Sequence, residues 1–161
     1  YELIRDVNQL TMTALSEMRI LLFELRPTAL SQVGLKQLFE QYLRPIQERR
    51  EFKLIVSIDE NLSLNPTVQI GLYRITQEAL NNIDKHAQAT EVEVSVTDIG
   101  EQVVLLISDN GIGFDVDHTT PTALGLNIMR ERAHQINASI TITSQPKTGT
   151  QIRVLVNKDD S

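Results

Sequence analysis

The stretch QEALNNIDKHA, residues 77 to 87, is the part of the sequence that decides the fold. An asparagine–proline pair at 65–66 is typical of a helix N-cap and first turn, so a helix is predicted to begin there and to continue through this stretch. Ile75, Ala79 and Ile83 recur at helical spacing and predict a face that is buried against a sheet. The same helix also carries a polar face, which packing alone does not explain.

The polar side chains of this helix are spaced so that they can act together. Glu78 and Asn82 are four residues apart and project from one face, and Lys85 and His86 follow one turn later. Mg²⁺ prefers hard oxygen ligands, keeps several waters and is commonly shared with substrate phosphates, so a single amide oxygen from Asn82 suits it. The two basic groups would then face the phosphates. A solvated face with a few ion pairs explains this helix alone equally well.

Composition and charge restrict the class of protein. The chain has 161 residues, of which 41% are hydrophobic and 22% charged, as expected for one globular domain with an appendage. Fifteen basic against twenty-one acidic residues give a net charge of -6, so nucleic acid is not an expected partner. The absence of cysteine excludes disulfides and thiolate metal sites. The longest strictly apolar run, VVLLI at 103–107, is far shorter than the ~20 residues that span a bilayer.

Hydrophobic periodicity predicts the remaining elements. These are a long helix over 2–26 with a wide apolar stripe, a helix over 35–50, strands over 52–58, 91–98, 102–109, 138–144 and 150–156, and a helix over 124–136. Pro45 should kink or interrupt the second helix. The stripe of the first helix implies a helical partner. Because helices punctuate paired strands, the predicted fold is an α+β sandwich, a sheet covered on one face by helices.

The segment SDNGIGF, 108 to 114, is the second candidate site. Asp109 closes an apolar strand, where its carboxylate can accept a hydrogen bond from an exocyclic amine. Gly111 and Gly113 allow the backbone to approach a flat ring or a phosphate closely. An Asp-Asn-Gly hairpin turn is the alternative. The following residues lack the pattern of a partner strand, and the loop over 110–123 is long enough to be a binding loop or lid.

Two further segments contain glycine at a suggestive position. Gly125 precedes a helix, and the free N–H groups of a helix N-terminus suit phosphate oxygens, although glycine is also common there without a ligand. Gly149 and Thr150 open the last strand within QPKTGTQI, a pattern more typical of a hairpin turn than of a ligand contact.

In combination, these segments resemble the ATP-binding domain of sensor histidine kinases, within the superfamily that also includes DNA gyrase and the MutL repair proteins. QEALNNIDKHA is similar to the N box, DNGIGF to the first glycine box, LGLNIMRER to the second and TGT to the last. LFELRPTALSQVGL, 22 to 35, is similar to the segment joining dimerisation helices to the ATPase domain in the nitrate-sensor type, whose partners are helix-turn-helix response regulators. The resemblance implies the Bergerat fold with a mixed sheet.

The resemblance also implies a role for each matching residue. Asn82 would hold Mg²⁺, Asp109 would accept a hydrogen bond from the adenine amino group, and Lys85 and His86 would lie near the phosphates of ATP or ADP. The pocket and lid would be shaped by Gly111, Gly113, Gly125, Leu126 and Thr150. Glu78 matches the general base of the ATP-hydrolysing relatives, a role that conflicts with a kinase, which must avoid hydrolysis.

The implied activity is transfer of the ATP γ-phosphate to a histidine and onward to an aspartate of a response regulator. The acceptor would lie on a first dimerisation helix, but His86, His118 and His134 all have other contexts. We therefore expect a fragment of a longer, homodimeric and cytoplasmic parent, which can be membrane-attached elsewhere. Residues 1–30 would be the second dimerisation helix and 31–161 the ATP-binding domain. The fragment is not expected to phosphorylate itself or to contact a membrane directly.

Three departures from the family pattern predict a reshaped lid and modest nucleotide affinity. Ala123 stands in place of the first glycine of the second glycine box, Lys147 replaces a common glycine, and INASI at 136–140 lacks the usual Gly-Gly pair. A degenerate, non-catalytic module of the same fold is therefore an alternative. A serine-kinase anti-sigma factor is another, although it would need neither the long first helix nor the LRPTAL linker.

Overall fold

The computed structural model describes Met18 and residues 34–49, 52–60, 62, 64–116 and 124–158. The predicted first helix therefore lies outside the described residues except for Met18, which is helical with 62% of its surface exposed. Ala123, His118 and nearly all of the predicted linker also lie outside them. Among the described helices, none is both long and apolar enough to cross a membrane.

The described chain forms three helices and five strands in the predicted order. They are α1 (Leu35–Arg49), β1 (Lys53–Ile58), α2 (Pro66–Asn82) with a π-helical turn (Ile83–Ala87), β2 (Glu91–Asp98), β3 (Gln102–Asp109), α3 (Leu124–Gln135), β4 (Ser139–Ser144) and β5 (Thr150–Asn157). The strands form one sheet in the order β1-β2-β3-β5-β4. The β1–β2 pair is parallel and the other pairs are antiparallel, so the sheet is mixed.

One face of this sheet forms the core. In β2 the three valines at 92, 94 and 96 are fully buried, whereas the alternating residues Glu91 and Glu93 are exposed. Leu72, Ile75 and Ala79 of α2 are also fully buried. All three helices contact the sheet, and α2 contacts both α1 and α3. The expected fold class, a mixed sheet covered on one face by helices, is confirmed.

Helix α1 continues through Pro45, so the predicted interruption does not occur. Pro45 has no N–H to donate to the carbonyl group of residue 41, but residue 41 is exposed and water can satisfy that carbonyl. On the opposite side of α1, Phe39 and Tyr42 pack edge-on against Tyr73 of α2, with ring centroids 6.2 and 5.2 Å away. This apolar contact holds the helix against α2.

Helix α2 begins as predicted. The side chain of Asn65 accepts a hydrogen bond from the backbone N–H of Thr67 at 2.8 Å, and Pro66 occupies the first helical position. Further along, Gly71 lets α3 approach closely, because a Cβ on it would lie 2.5 Å from Cγ2 of Ile136. The N-terminal half of α2 and the end of α3 are thereby brought together, and Gly125 at the start of α3 lies beside Glu78 and Asn82 of α2.

Candidate functional site

A cavity of about 690 Å³ lies between α2, α3, the end of β3 and the start of β5. Its volume is within the range of about 300–1,000 Å³ that is usual for small-molecule sites. Most of its wall is apolar and consists of Ala79, Ile83, Ala87, Ile107, Ile112, Phe114, Leu126, Met129 and Ile152. Asn82 and Asp109, which are distant in the sequence, both line it. The cavity therefore combines apolar walls with a few polar groups, as ligand sites do.

Seven of the ten candidate residues from the sequence line this cavity. They are Asn82, His86, Asp109, Gly113, Gly125, Leu126 and Thr150. The other three lie elsewhere: Lys85 is exposed, Gly111 is buried in the loop after β3, and Glu78 contacts Gly125. His86 is therefore better placed than Lys85 to reach a bound molecule.

Asp109 is the buried carboxylate of the cavity, with 8% of its surface exposed. Burial raises the pKa of its carboxyl group above the ordinary value of 3.8, and hydrogen bonds from Gly111 and Thr150 oppose that rise. The Gly111 N–H donates to Oδ1 at 2.7 Å. Thr150 faces Asp109 across the β3–β5 pair, so strand register places the hydroxyl beside the carboxylate. The result is a fixed acceptor in an otherwise apolar wall.

The loop after Asp109 is not a hairpin turn, so that alternative is wrong. The N–H of Ile112 donates to the carbonyl of Ala87 at 2.8 Å, and the N–H of Phe114 donates to Oγ of Ser144 at 2.9 Å. The loop therefore runs from the end of α2 to the β4–β5 turn. At Gly111 a Cβ would collide with the carbonyl of Ala87, so only glycine allows this close approach.

The β4–β5 connection is the predicted hairpin turn, and Thr150 at its end also lines the cavity. Two of the departures from the family pattern lie in or near this part of the chain. Lys147 has φ +71° and Asn137 has φ +52°, so both positions keep the left-handed conformation that glycine favours. The substitutions thus retain the backbone path at some conformational cost.

The π-helical turn at 83–87 was not foreseen from the sequence. It follows Asn82 directly and ends at Gln88, whose φ is +50°. Asn82, just before this turn, and His86, within it, line the cavity, whereas Lys85 does not. Such turns are frequent at functional sites, but no residue type marks them in a sequence.

No role was predicted for Asn110 from the sequence. It lies directly after Asp109, is exposed, and does not line the cavity. Its side chain binds the backbone at the start of β2. A polar residue at the end of an apolar strand was the available signal, but its partners are set by tertiary structure.

Gly125 provides a test of how α3 controls the polar side of the cavity. A Cβ there would collide with Oε1 of Glu78 and lie 2.8 and 3.1 Å from Nδ2 and Oδ1 of Asn82. For the Mg-nucleotide that the resemblance implies, Gly125→Ala should displace the Asn82 amide and weaken binding about tenfold, with little change in melting temperature because these side chains can move. Calorimetric titration with Mg-ADP measures it. Gly34→Ala, where a Cβ meets nothing within 4 Å, is the control and should bind normally.

Comparison with known proteins decides the family. The model of the family described as histidine kinase-, DNA gyrase B-, and HSP90-like ATPase matches residues 67–160, more than half of the chain. The chain belongs to this ATPase family. The matched residues include every residue that lines the cavity.

Relatives of this ATPase-family chain include sensor proteins. Sensor protein VraS of Staphylococcus saprophyticus and that of Staphylococcus aureus are each 37% identical to it over 147 residues. The alignments cover 90% of this chain but 42% of each relative. The chain thus spans less than half the length of these relatives.

Solved structures show the same ATPase-family fold. The blue-light activated histidine kinase of Erythrobacter litoralis EL346 superimposes with a TM-score of 0.70 at 20% identity, covering 83% of this chain and 44% of that one. The histidine kinase AdeS of Acinetobacter baumannii gives 0.61 at 11% identity, covering 98% and 83%. At these identities the likeness establishes the fold.

Proposed function

We propose that the chain is the ATP-binding catalytic domain of a two-component sensor histidine kinase. It would bind ATP and transfer the γ-phosphate to a histidine, from which the phosphate passes to an aspartate of a response regulator. The observation that carries this proposal is that Asn82 and Asp109 line one cavity of suitable size. Membership of the ATPase family and similarity to sensor proteins support the same function.

The apolar half of the cavity suits a purine ring. Ile107, Met129 and Ile152 supply apolar walls, and Asp109 supplies a buried acceptor for the adenine amino group. Guanine has a carbonyl oxygen where adenine has this amine, so an ionised Asp109 would repel it. The residues thus favour adenine over guanine nucleotides.

The polar half suits the phosphates and Mg²⁺. Asn82 lines this half of the cavity beside the start of α3, where its Oδ1 would lie 3.1 Å from a Cβ on Gly125. Within the described ranges, no three His, Cys, Asp or Glu side chains form a metal-ligand group. The donor set fits a cation that takes few protein ligands and shares phosphate oxygens. When bound, Mg²⁺ would neutralise phosphate charge, which is the main requirement of phosphoryl transfer.

The basic and acidic candidates of α2 contribute differently in this proposal. His86 faces the cavity and would approach the phosphates, whereas exposed Lys85 would reach them only from the rim. Glu78 lies against Gly125 and does not line the cavity. This placement supports a packing role over water activation, as a kinase that avoids hydrolysis requires.

The proposal extends to the longer protein. Residues 1–30 would be the second dimerisation helix of a homodimeric, cytoplasmic kinase region, and 31–161 its ATP-binding domain. The parent can be membrane-attached, and its regulator would be of the helix-turn-helix type. Support comes from the fraction of the relatives that the chain covers and from the linker resemblance at 22–35. The acceptor histidine would be supplied by the first dimerisation helix.

Replacement of Asn82 tests the assignment of the metal end. Asn82→Ala should weaken ADP binding about tenfold or more in the presence of Mg²⁺. Loss of a side chain that binds a metal ion or orients its ligands commonly lowers affinity by this factor. With EDTA present, the variant and the wild type should bind ADP with similar affinity. The matched control is Asn81→Ala, an exposed neighbour that does not line the cavity. Equal Mg²⁺ dependence in both variants would contradict the assignment.

Phosphotransfer tests the activity itself. The chain, incubated with labelled Mg-ATP and the dimerisation region of its parent, should place phosphate on a histidine of that region. The product is recognised by its acid lability and alkali stability. Nucleotide binding without any transfer would instead favour the non-catalytic module.

A further inference from the structure

Asn110 makes a compact set of hydrogen bonds at the surface beside the cavity. Its Oδ1 accepts the N–H groups of Thr90 and Glu91 at 2.9 and 3.0 Å. Its Nδ2 donates to Oγ1 of Thr90 at 2.9 Å, and its backbone N–H donates to the carbonyl of Glu91 at 3.2 Å. One side chain therefore fixes both residues that lead into β2.

These bonds lie between the two chain segments that carry Asp109 and His86, which both line the cavity. Thr90 and Glu91 follow the π-helical turn that carries His86, and Asn110 follows Asp109 directly. The N–H of Ile112 adds a bond to Ala87, the last residue of the turn, at 2.8 Å. The loop after β3 is thus connected by Asn110 to the start of β2 and by Ile112 to the π-helical turn.

The chemistry of these contacts requires an Asn-like side chain. Two N–H groups that converge on one oxygen need an acceptor of fixed position, which alanine or leucine lacks. Aspartate keeps this acceptor, and its second oxygen can accept from the Thr90 hydroxyl, which rotates to donate. Asn110 does not itself line the cavity, so any effect on a ligand must pass through Asp109 and the turn.

We propose that Asn110 is a positioning residue that sets Asp109 relative to the Asn82–His86 turn and thereby sets the preference for adenine. The inference rests on the proposed function, because it assumes that Asp109 recognises the adenine amine. Removing the Asn110 side chain should let the Asp109 carboxylate move independently of the part of the cavity formed by Asn82 and His86. A loss of general stability would weaken all nucleotides alike, whereas displacement of Asp109 would reduce discrimination between bases.

The test compares Asn110→Ala, Asn110→Asp and Asn157→Ala in the full chain by calorimetric titration with Mg-ADP and Mg-GDP. Asn157 is the matched control, since it accepts a hydrogen bond from Gln102 at 2.7 Å at the opposite end of β3. Asn110→Ala should weaken ADP about tenfold and GDP less, so that the ADP preference falls. Asn110→Asp and Asn157→Ala should keep the wild-type preference.

Hydrogen exchange at the amides of Thr90 and Glu91 gives a readout without ligand. Exchange at both should accelerate in Asn110→Ala and stay slow in Asn110→Asp. If Asn110→Ala does not fold, Thr90→Val, which removes only the hydroxyl partner, should lower the ADP preference more mildly. An unchanged preference in the folded Asn110→Ala protein, or in Thr90→Val when that is the variant available, overturns the inference alone. A wild-type chain without preference for ADP over GDP overturns the proposed role of Asp109 instead.

Discussion

Asp109→Ala is expected to weaken Mg-ADP binding roughly 10- to 100-fold, because a hydrogen bond to a charged group contributes about 1.5–3 kcal/mol. Asp109 is buried, so water does not compete for its hydrogen bond to the ligand. For the same reason, water would not replace the carboxylate as acceptor in the variant. Calorimetric titration measures the change. Glu93→Ala is the control, since Glu93 is exposed on the opposite face of the sheet, and it should bind like the wild type. Equal affinity in the Asp109 variant would contradict the adenine assignment.

The pH dependence of binding provides a second signature of Asp109. Because burial raises the pKa of this carboxyl group above 3.8, the ionised acceptor is lost at a higher pH than in an ordinary aspartate. ADP binding should therefore weaken as the pH falls through the raised pKa. Asp109→Asn does not titrate at 109, so it should lose this weakening of ADP binding at low pH.

The pH dependence of protein stability should be opposite to that of ADP binding: stability should rise, and not fall, as the pH falls through the raised pKa of Asp109. A carboxyl group whose pKa is raised on folding binds its proton more tightly in the folded state, so stability falls as the pH rises from 3.8 through the raised value. At neutral pH the ionised, buried Asp109 therefore lowers the free energy of unfolding. The stability of Asp109→Asn relative to wild type should be greater at neutral pH than in acid, which urea unfolding at both pH values checks.

Gly149→Ala is expected to have the largest effect on stability. Gly149 has φ +80°, and a Cβ there would collide with the backbone carbonyl of Asp109. Left-handed backbone costs a residue with a side chain about 1–2 kcal/mol. The collision adds to this cost, because neither strand can move without breaking the β3–β5 pair. A total loss of about 3 kcal/mol or more is expected, with a melting temperature lower by about 10 °C.

The control for Gly149 is another glycine of similar conformation. Gly100 has φ +96°, but a Cβ there would meet nothing within 4 Å. Gly100→Ala should therefore lose only the conformational part, about 1–2 kcal/mol. Thermal unfolding of both variants separates the two contributions. Similar losses in the two proteins would show that the Asp109 carbonyl does not confine Gly149.

The helices and strands were predictable because an element with one buried face has apolar residues at regular intervals in the sequence. Alternation in EVEVSVTD and helical spacing of Ile75 and Ala79 each mark a buried face, and the structure has both elements with those faces inward. The Asn–Pro pair at 65–66 marked a helix start through purely local bonds. Features that depend on a few neighbouring residues were therefore within reach of sequence analysis.

The site was predictable only in part, because much of its geometry depends on distant residues. The resemblance of the motifs predicted that Asn82 and Asp109 belong to one site, and both line the cavity. The π-helical turn, which leaves Lys85 exposed while His86 lines the cavity, has no local signature. The apolar lining residues could not be distinguished from the core, since both are buried and hydrophobic. The bonds of Asn110 depend on how β2 and β3 meet.

The alternation of buried and more exposed side chains along β3 limits where residues can be inserted or deleted during evolution. Its odd-numbered residues from Val103 to Asp109 all face the helices, and the even-numbered ones face away. Deleting one residue inside the strand would turn every later side chain over and carry the carboxylate to the solvent side. Insertions are therefore excluded between the turn at Gly100 and the cavity. They can accumulate in the turn itself, where an extra residue leaves both strands in phase.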